Sequence, residues 1–203
     1  MSKPDPWQAL YSLPEGESPW NLTWTVAPLV LVGSLEPDGG HDLAPKHLAM
    51  PLSWSNHYGF VCSPRHRTYV NIVREEAFTV SFPTPEHLVQ TALAADPRTL
   101  TGDKPGLAAL PVFPAREVRG VLVRGCYFYL ECRLLKVYDD FGENSLIAGE
   151  VVTAHVDKTM LHTEDLDGQE EIHRHPLLAY LHPDRFASID RSNSFPFPRG
   201  YHR

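Results

Sequence analysis

A chain of 203 residues with 18 basic and 25 acidic side chains, net charge -7, is long enough to bury a sizeable core as one large or two small domains without disulfides or metals. The negative balance argues against a nucleic-acid partner, because phosphate contacts need a basic field. No apolar run approaches the roughly 20 residues of a membrane span, and the N-terminus lacks a basic-then-apolar signal layout, so a cytoplasmic location is expected; three cysteines, an odd number, fit a reducing compartment.

The chain opens with Pro4, Pro6, Pro14 and Pro19 among Trp7, Trp20 and Trp24. Prolines this dense prevent a long helix and exposed tryptophans are costly, so residues 1–24 read as an ordered arm laid on the body of the fold or on a partner subunit, with a disordered tail as the alternative. Leu29 to Leu35 is a continuous apolar strand, and Glu36-Pro37-Asp38-Gly39-Gly40 is a turn, since Gly supplies positive φ and Pro presets its own. A second strand then starts near His41 and pairs antiparallel with the first.

Tyr58 to Cys62 is a compact aromatic and β-branched run between turns, which marks a buried strand. The next loop carries Ser63, Arg65, His66, Arg67 and Thr68, immediately before Val70, Ile72 and Val73 begin a helical pattern with Thr68 as candidate N-cap. A helix N-terminus leaves amide donors unpaired and carries positive partial charge, so arginines there make a site for a phosphate or another small anion. The alternative is a capped surface helix with a solvated basic turn, because the loop lacks the glycines of a phosphate loop.

Ala77 to Phe82 is a further strand, and Thr84-Pro85-Glu86 starts a helix through Leu88, Val89, Ala92 and Leu93. Residues 96–114, rich in Pro, Gly, Thr and Asp, read as a long loop of the kind that is usually functional or mobile. From Cys126 to Leu134, apolar residues alternate with Tyr127, Tyr129, Glu131 and Arg133, a half-buried strand on which Cys126 and Cys132 point the same way without meeting. A turn over residues 141–144 returns the chain through Leu146 to Val156, with Gly149 as bulge or kink. Six or more hairpin-connected strands with two or three short helices indicate a mainly β, antiparallel barrel or sandwich. There is no internal repeat or domain linker, so residues 1–203 are read as a single domain: arm 1–24, barrel 25–160, C-terminal extension 161–203.

Other constellations are weaker. His155, His162, His173 and His175 match no zinc spacing and no metal is expected. Cys62 ends a strand and reads as core before nucleophile. Glu131 and Glu150 could face each other as an acid pair, against a solvent-facing or arginine-paired role.

Three blocks resemble the flavin reductase-like, FMN-binding split-barrel family. Leu31-Val32-Gly33-Ser34-Leu35 with Asp38-Gly39 and Leu43-Ala44-Pro45 is similar to the family's opening hairpin. Ser63 to Ile72 followed by Glu75 to Val80 resembles its basic loop, Thr-x-x-Asn-Ile helix and next strand. Leu130-Glu131-Cys132-Arg133 with Gly149-Glu150-Val151-Val152 is similar to its paired long strands. The resemblance implies an antiparallel split β-barrel, Greek-key-like, that binds FMN as a homodimer. It makes Ser63, Arg65, Arg67 and Thr68 phosphate ligands and sets Lys46, His47, Ala49 and Met50 beside the flavin ring, with His47 the candidate catalytic residue. The implied activity is an FMN-dependent oxidoreductase accepting hydride from NAD(P)H, with a non-enzymatic flavin carrier as alternative. The chain departs from the family at His47, at Met50 and at His57-Tyr58, where a Pro-Pro pair is common. Its C-terminal stretch, with Pro176-Leu177 and Phe186, resembles one that returns to the barrel in relatives, and the tail from Ser194 to Arg199 either closes over a flavin edge or covers apolar surface.

Overall fold

β1 (Thr25–Pro28) leads into β2 (Val30–Leu35), and β2 turns back as β3 (His41–Lys46) in full antiparallel register from Val30↔Lys46 to Leu35↔His41. The turn is fixed by its residues: Gly39 takes φ 88°, the Asp38 carboxylate accepts from the Gly40 amide at 2.9 Å, and the Glu36 amide donates to the Gly40 carbonyl at 2.8 Å. There follow β4 (Ala49–Pro51), β5 (His57–Cys62), α1 (Arg67–Glu75), β6 (Ala77–Phe82) and, through a 3-10 turn at Pro85–His87, α2 (Leu88–Leu93). β7 (Val112–Pro114) and β8 (Val121–Val123) form a small hairpin ahead of the long pair β9 (Phe128–Phe141) and β10 (Asn144–Val156). The chain ends in α3 (Gly168–Arg174), β11 (Leu177–His182) and β12 (Arg185–Ile189). This computed structural model describes residues 5–162 and 168–200. No described helix is long and apolar enough to cross a membrane.

Seven strands pair in the order β3-β2-β6-β9-β10-β5-β4, every pair antiparallel, while β1, β11 and β12 make a separate three-stranded sheet. The edge strands β3 and β4 are consecutive in the chain, joined by His47 and Leu48 alone. Three peptide steps reach at most about 11 Å, so the two edges are forced together and the sheet has to curl. The result is an antiparallel split β-barrel, as the family resemblance implied; the Val61 amide donates to the Leu48 carbonyl at 2.9 Å and extends the β4–β5 ladder into the connection.

Val30, Val32, Phe60, Phe78, Val80, Leu130, Cys132 and Ile147 fill the barrel, with Phe60 and Phe78 edge to face at 5.4 Å. A second cluster of Leu31, Leu43, Ala94, Leu110, Val123 and Cys126 covers the other side of β2 and β3. Burial on both faces explains why β2 reads as an unbroken apolar run. The register of β9 and β10 shifts between Ala148 and Gly149, as expected of a bulge there; a Cβ on Gly149 would also lie 2.5 Å from the Phe78 ring.

Several expectations change. α1 starts at Arg67 and His66 occupies its N-cap, so Thr68 lies inside the first turn. The 96–114 segment carries a 3-10 turn at Pro105–Ala109 and the strand β7. β9 begins at Phe128, leaving Cys126 outside it, although both cysteines are buried and free. Trp7 and Trp20 are largely exposed, so the arm is not laid on its own barrel. Glu131 and Glu150 are not an acid pair: Glu131 faces Thr79 and Thr153, and Glu150 faces Arg133.

Glu131 is fully buried, where the strand pattern made it half solvated. Its two oxygens accept the amides of Arg116, Glu117 and Val118 at 2.6 to 3.1 Å and sit 3.0 Å from His155 Nε2. Burial pushes its carboxyl up, but those amides and His155 outweigh burial and hold it below the ordinary glutamate range. His162 pairs with Glu171 at 2.7 Å, and no group of three or more metal-ligating side chains occurs among the described residues.

Candidate functional site

The Thr-x-x-Asn-Ile helix is anchored to the β2–β3 hairpin by its own spacing. Residues three apart share a helix face, and Ser34 lies opposite Asp42 in the ladder. Thr68 Oγ1 donates to Asp42 Oδ2 at 3.1 Å and Asn71 Nδ2 donates to Ser34 Oγ at 3.2 Å, all four residues being buried. Ile72 enters the barrel core one position on. The α1 N-terminus is thereby fixed beside β3, and no side chain caps it, which leaves its first turn able to receive an anion.

A cavity of about 600 Å³ opens there, between the α1 N-terminus, the end of β3 and residues 94–104. Lys46, Arg65, Arg67, Arg98 and Lys104 line it against Asp42 and Asp96, a local excess of positive charge on an acidic chain. Hydrogen bonding sorts these cations. Arg98 Nη2 lies 2.6 Å from Glu36 and 2.9 Å from Asp42, and Lys104 Nζ donates to the Leu43 carbonyl at 2.7 Å and lies 3.3 Å from Asp42. These two are committed to holding the hairpin. Arg67 is 3.6 Å from Glu36, and among the described residues Lys46 Nζ has only the Cys62 sulfur, at 3.5 Å. The Arg65 bond to Glu143 at 2.6 Å is exposed on both sides and so is weak. Among the described residues lining this cavity, Lys46, Arg65 and Arg67 are therefore the cations available to meet a ligand.

Of the residues singled out in the sequence, Lys46, Arg65, Arg67 and Thr68 line this cavity. Ser63 lines a smaller one of about 180 Å³ next to it, shared with Lys46, His47, Cys62 and His66. His47 also borders a third, of about 270 Å³, together with Tyr180 and Arg185, and Pro45 lines all three. Ala49 and Met50 are not brought to this group; they line a separate apolar cavity that shares no residue with the other three. Thr68 has its hydroxyl committed to Asp42, which makes it a positioning residue as much as a ligand. Asp42, Arg98 and Lys104 were missed in the sequence, though the length of the 96–114 segment was a signal of function.

The imidazole of His47 lies 4.6 Å from the Tyr180 ring and 5.6 Å from that of His182, which ties it to the β11 strand. Burial, then the positive charges of His182 and Lys46, hold its pKa below the ordinary histidine value, so the ring is neutral at pH 7. His66 is shifted the same way, by burial first and then by Lys46 and Arg65. Burial pushes the Cys62 thiol up against the pull of Lys46, which fits a core thiol and not a nucleophile.

A split barrel is the fold of a solved structure described as a flavin reductase, with a TM-score of 0.73 to this chain. The profile of the flavin reductase like domain matches residues 24–187, and the chain belongs to that family. It is 27% identical over 175 residues, 83% of this chain and 82% of the other, to an uncharacterized protein of Methanothermobacter thermautotrophicus. Among solved structures, 2-nitrobenzoate 2-nitroreductase NbaA of Pseudomonas fluorescens has a TM-score of 0.79 at 17% identity, covering 96% of this chain and 99% of that one. Flavoredoxin of Desulfovibrio vulgaris has a TM-score of 0.75 at 17% identity over 94% of this chain and 100% of its own. An FMN-binding protein of Thermus thermophilus with bound 1-cyclohex-2-enone has a TM-score of 0.74 at 17% identity, over 91% and 99%. At such identities these likenesses show the fold.

Proposed function

We propose that the protein is an FMN-dependent oxidoreductase of the flavin reductase type that accepts hydride from NAD(P)H. One observation carries the reading: an uncapped helix N-terminus beside cations that have no strong internal partner. That donor set fits a phosphate monoester. Arg67 and Lys46 would hold the dianion, Arg65 would join by releasing Glu143, Thr68 would line the same cavity, and Ser63 would approach from the smaller cavity beside it. Pro45 and His47, which line the cavities adjoining the basic one, would be the residues beside the ring, with Ala49 and Met50 following on the next strand.

When bound, the flavin supplies the hydride acceptor, and the chain supplies position and field. Asp42, gripped by Thr68, Arg98 and Lys104, ties β3, the strand that leads on to Lys46 and His47, to the α1 N-terminus and to residues 98–104. A neutral His47 held against Tyr180 can donate to or accept from a carboxamide without adding charge beside the ring. The exposed tryptophans of the arm, Trp7 and Trp20, support assembly as a homodimer, because such surface is costly in water.

Under anaerobic conditions NADH or NADPH should bleach the absorbance of the bound flavin. His47→Ala should slow that step by about tenfold or more while FMN affinity changes no more than a few fold. In the unsubstituted protein the rate should hold through the ordinary histidine range and fall only below it, since protonation of His47 is displaced to lower pH. Flavin that stays oxidised with both nucleotides in excess would point instead to a carrier on the same barrel.

A further inference from the structure

The turn between β2 and β3 carries a charge that the flavin site has to contend with. Glu36 uses its backbone to close the turn, its amide donating to the Gly40 carbonyl at 2.8 Å and its carbonyl accepting from the Gly39 amide at 3.1 Å, and its side chain reaches the start of α1. The carboxylate stands between two arginines. Oε1 lies 2.6 Å from Arg98 Nη2, whereas Oε2 lies 3.6 Å from Arg67 Nε, outside hydrogen-bond distance.

The two arginines differ in how firmly they are held. Arg98 is fixed at three points, since Nη2 also lies 2.9 Å from Asp42 and Nη1 donates to the Gly102 carbonyl at 2.7 Å. Arg67 is half exposed, and the long contact with Glu36 is its ion pair among the described residues. A carboxylate with one short and one long arginine contact is a competitor held in check. Released from Arg98, Glu36 would close on Arg67 and occupy a guanidinium that lines the basic cavity. Glu36 does not itself line that cavity, so it reaches a ligand only through Arg67. Lys104 cannot do the same work, because its partners are Asp42 and the Leu43 carbonyl and not Glu36.

We propose that Arg98 is a positioning residue of the anion site: by holding Glu36 it keeps Arg67 open to the phosphate, and Glu36 is the internal anion that competes with that phosphate for Arg67. The identity of the anion rests on the flavin reading, whereas the competition for Arg67 does not.

Two measurements on the full chain test this. The first uses no ligand: a double-mutant cycle on thermal stability, built from Arg67→Ala, Glu36→Gln and the two combined, gives the coupling between Arg67 and Glu36. That coupling should be close to zero in the parent and should rise to that of a formed surface ion pair when the cycle is repeated in Arg98→Met. The second titrates FMN and riboflavin. Arg98→Met should weaken FMN about tenfold relative to riboflavin, and adding Glu36→Gln should return FMN to within a factor of about two of the parent. Arg98→Lys, which keeps the charge but not the fork that meets two carboxylates, should show the same pattern at reduced size and serves if Arg98→Met fails to fold. A coupling that stays near zero, FMN and riboflavin weakened together, or an FMN loss that Glu36→Gln leaves in place would each overturn the proposal and reduce Arg98 to a fastener of the hairpin. A parent that holds FMN no better than riboflavin, with the coupling still rising in Arg98→Met, would sink the flavin reading and uphold the competition.

Discussion

Glu131→Gln should lower stability at neutral pH by about 3 kcal/mol, more than any conservative change elsewhere on the long strands. The carboxylate is fully buried and gathers the amides of Arg116, Glu117 and Val118 along with His155. A glutamine would turn an N–H₂ group toward those N–H donors and leave at least one of them unpaired. For a chain of this length the loss corresponds to a fall in Tm of roughly 6 to 12 °C. Because the folded-state pKa of Glu131 is lowered, its contribution is complete above the unfolded glutamate value and is lost as pH falls through the folded one. The unsubstituted protein should therefore weaken toward acid pH, whereas Glu131→Gln should show a flatter acid limb. Thermal melts of both proteins across the acid range measure this. Parallel limbs would mean that Glu131 is not the ionised anchor of residues 116–118.

Arg67→Ala should weaken FMN by about 1.5 to 3 kcal/mol, a factor of roughly ten to a hundred, and leave riboflavin nearly unchanged. Arg67 sits at the first position of α1, lines the basic cavity and among the described residues has a 3.6 Å ion pair with Glu36 to lose. Lys104→Met is the instructive contrast. Lys104 bonds the Leu43 carbonyl and lies 3.3 Å from Asp42, so its removal should disturb the hairpin and weaken FMN and riboflavin together. Equal losses of both ligands in Arg67→Ala would remove the phosphate assignment.

These contrasts show where the sequence was readable. The β2–β3 hairpin, β5, β6 and the bulge at Gly149 were legible because local chemistry decided them: turn glycines, β-branched runs and a strand too closely packed for a side chain. The basic loop was legible for the same reason, since charge and helix start are neighbours in the chain. What could not be read were long-range pairings. Arg98 and Lys104 reach Asp42 from more than fifty positions away, and nothing local distinguishes an arginine that holds a hairpin from one that meets a ligand. Glu131 looked like an alternate polar position on a half-buried strand, and its burial depends on a loop that folds over it. Thr68 was misread as a cap because its hydroxyl is drawn to Asp42, while His66 takes the boundary position without bonding the helix. Ala49 and Met50 were grouped with His47 by the family resemblance, and in the structure they line a different cavity from His47.

The central claim is that the basic cavity grips a flavin through its phosphate, and competition followed by native mass spectrometry tests it most directly. The protein is equilibrated with FMN and riboflavin at equal concentration, and the bound masses are read without separation. One FMN per chain, with riboflavin at about a tenth of that occupancy or less, is the predicted result. Equal occupancy by the two flavins, or no flavin held at all, would contradict the account.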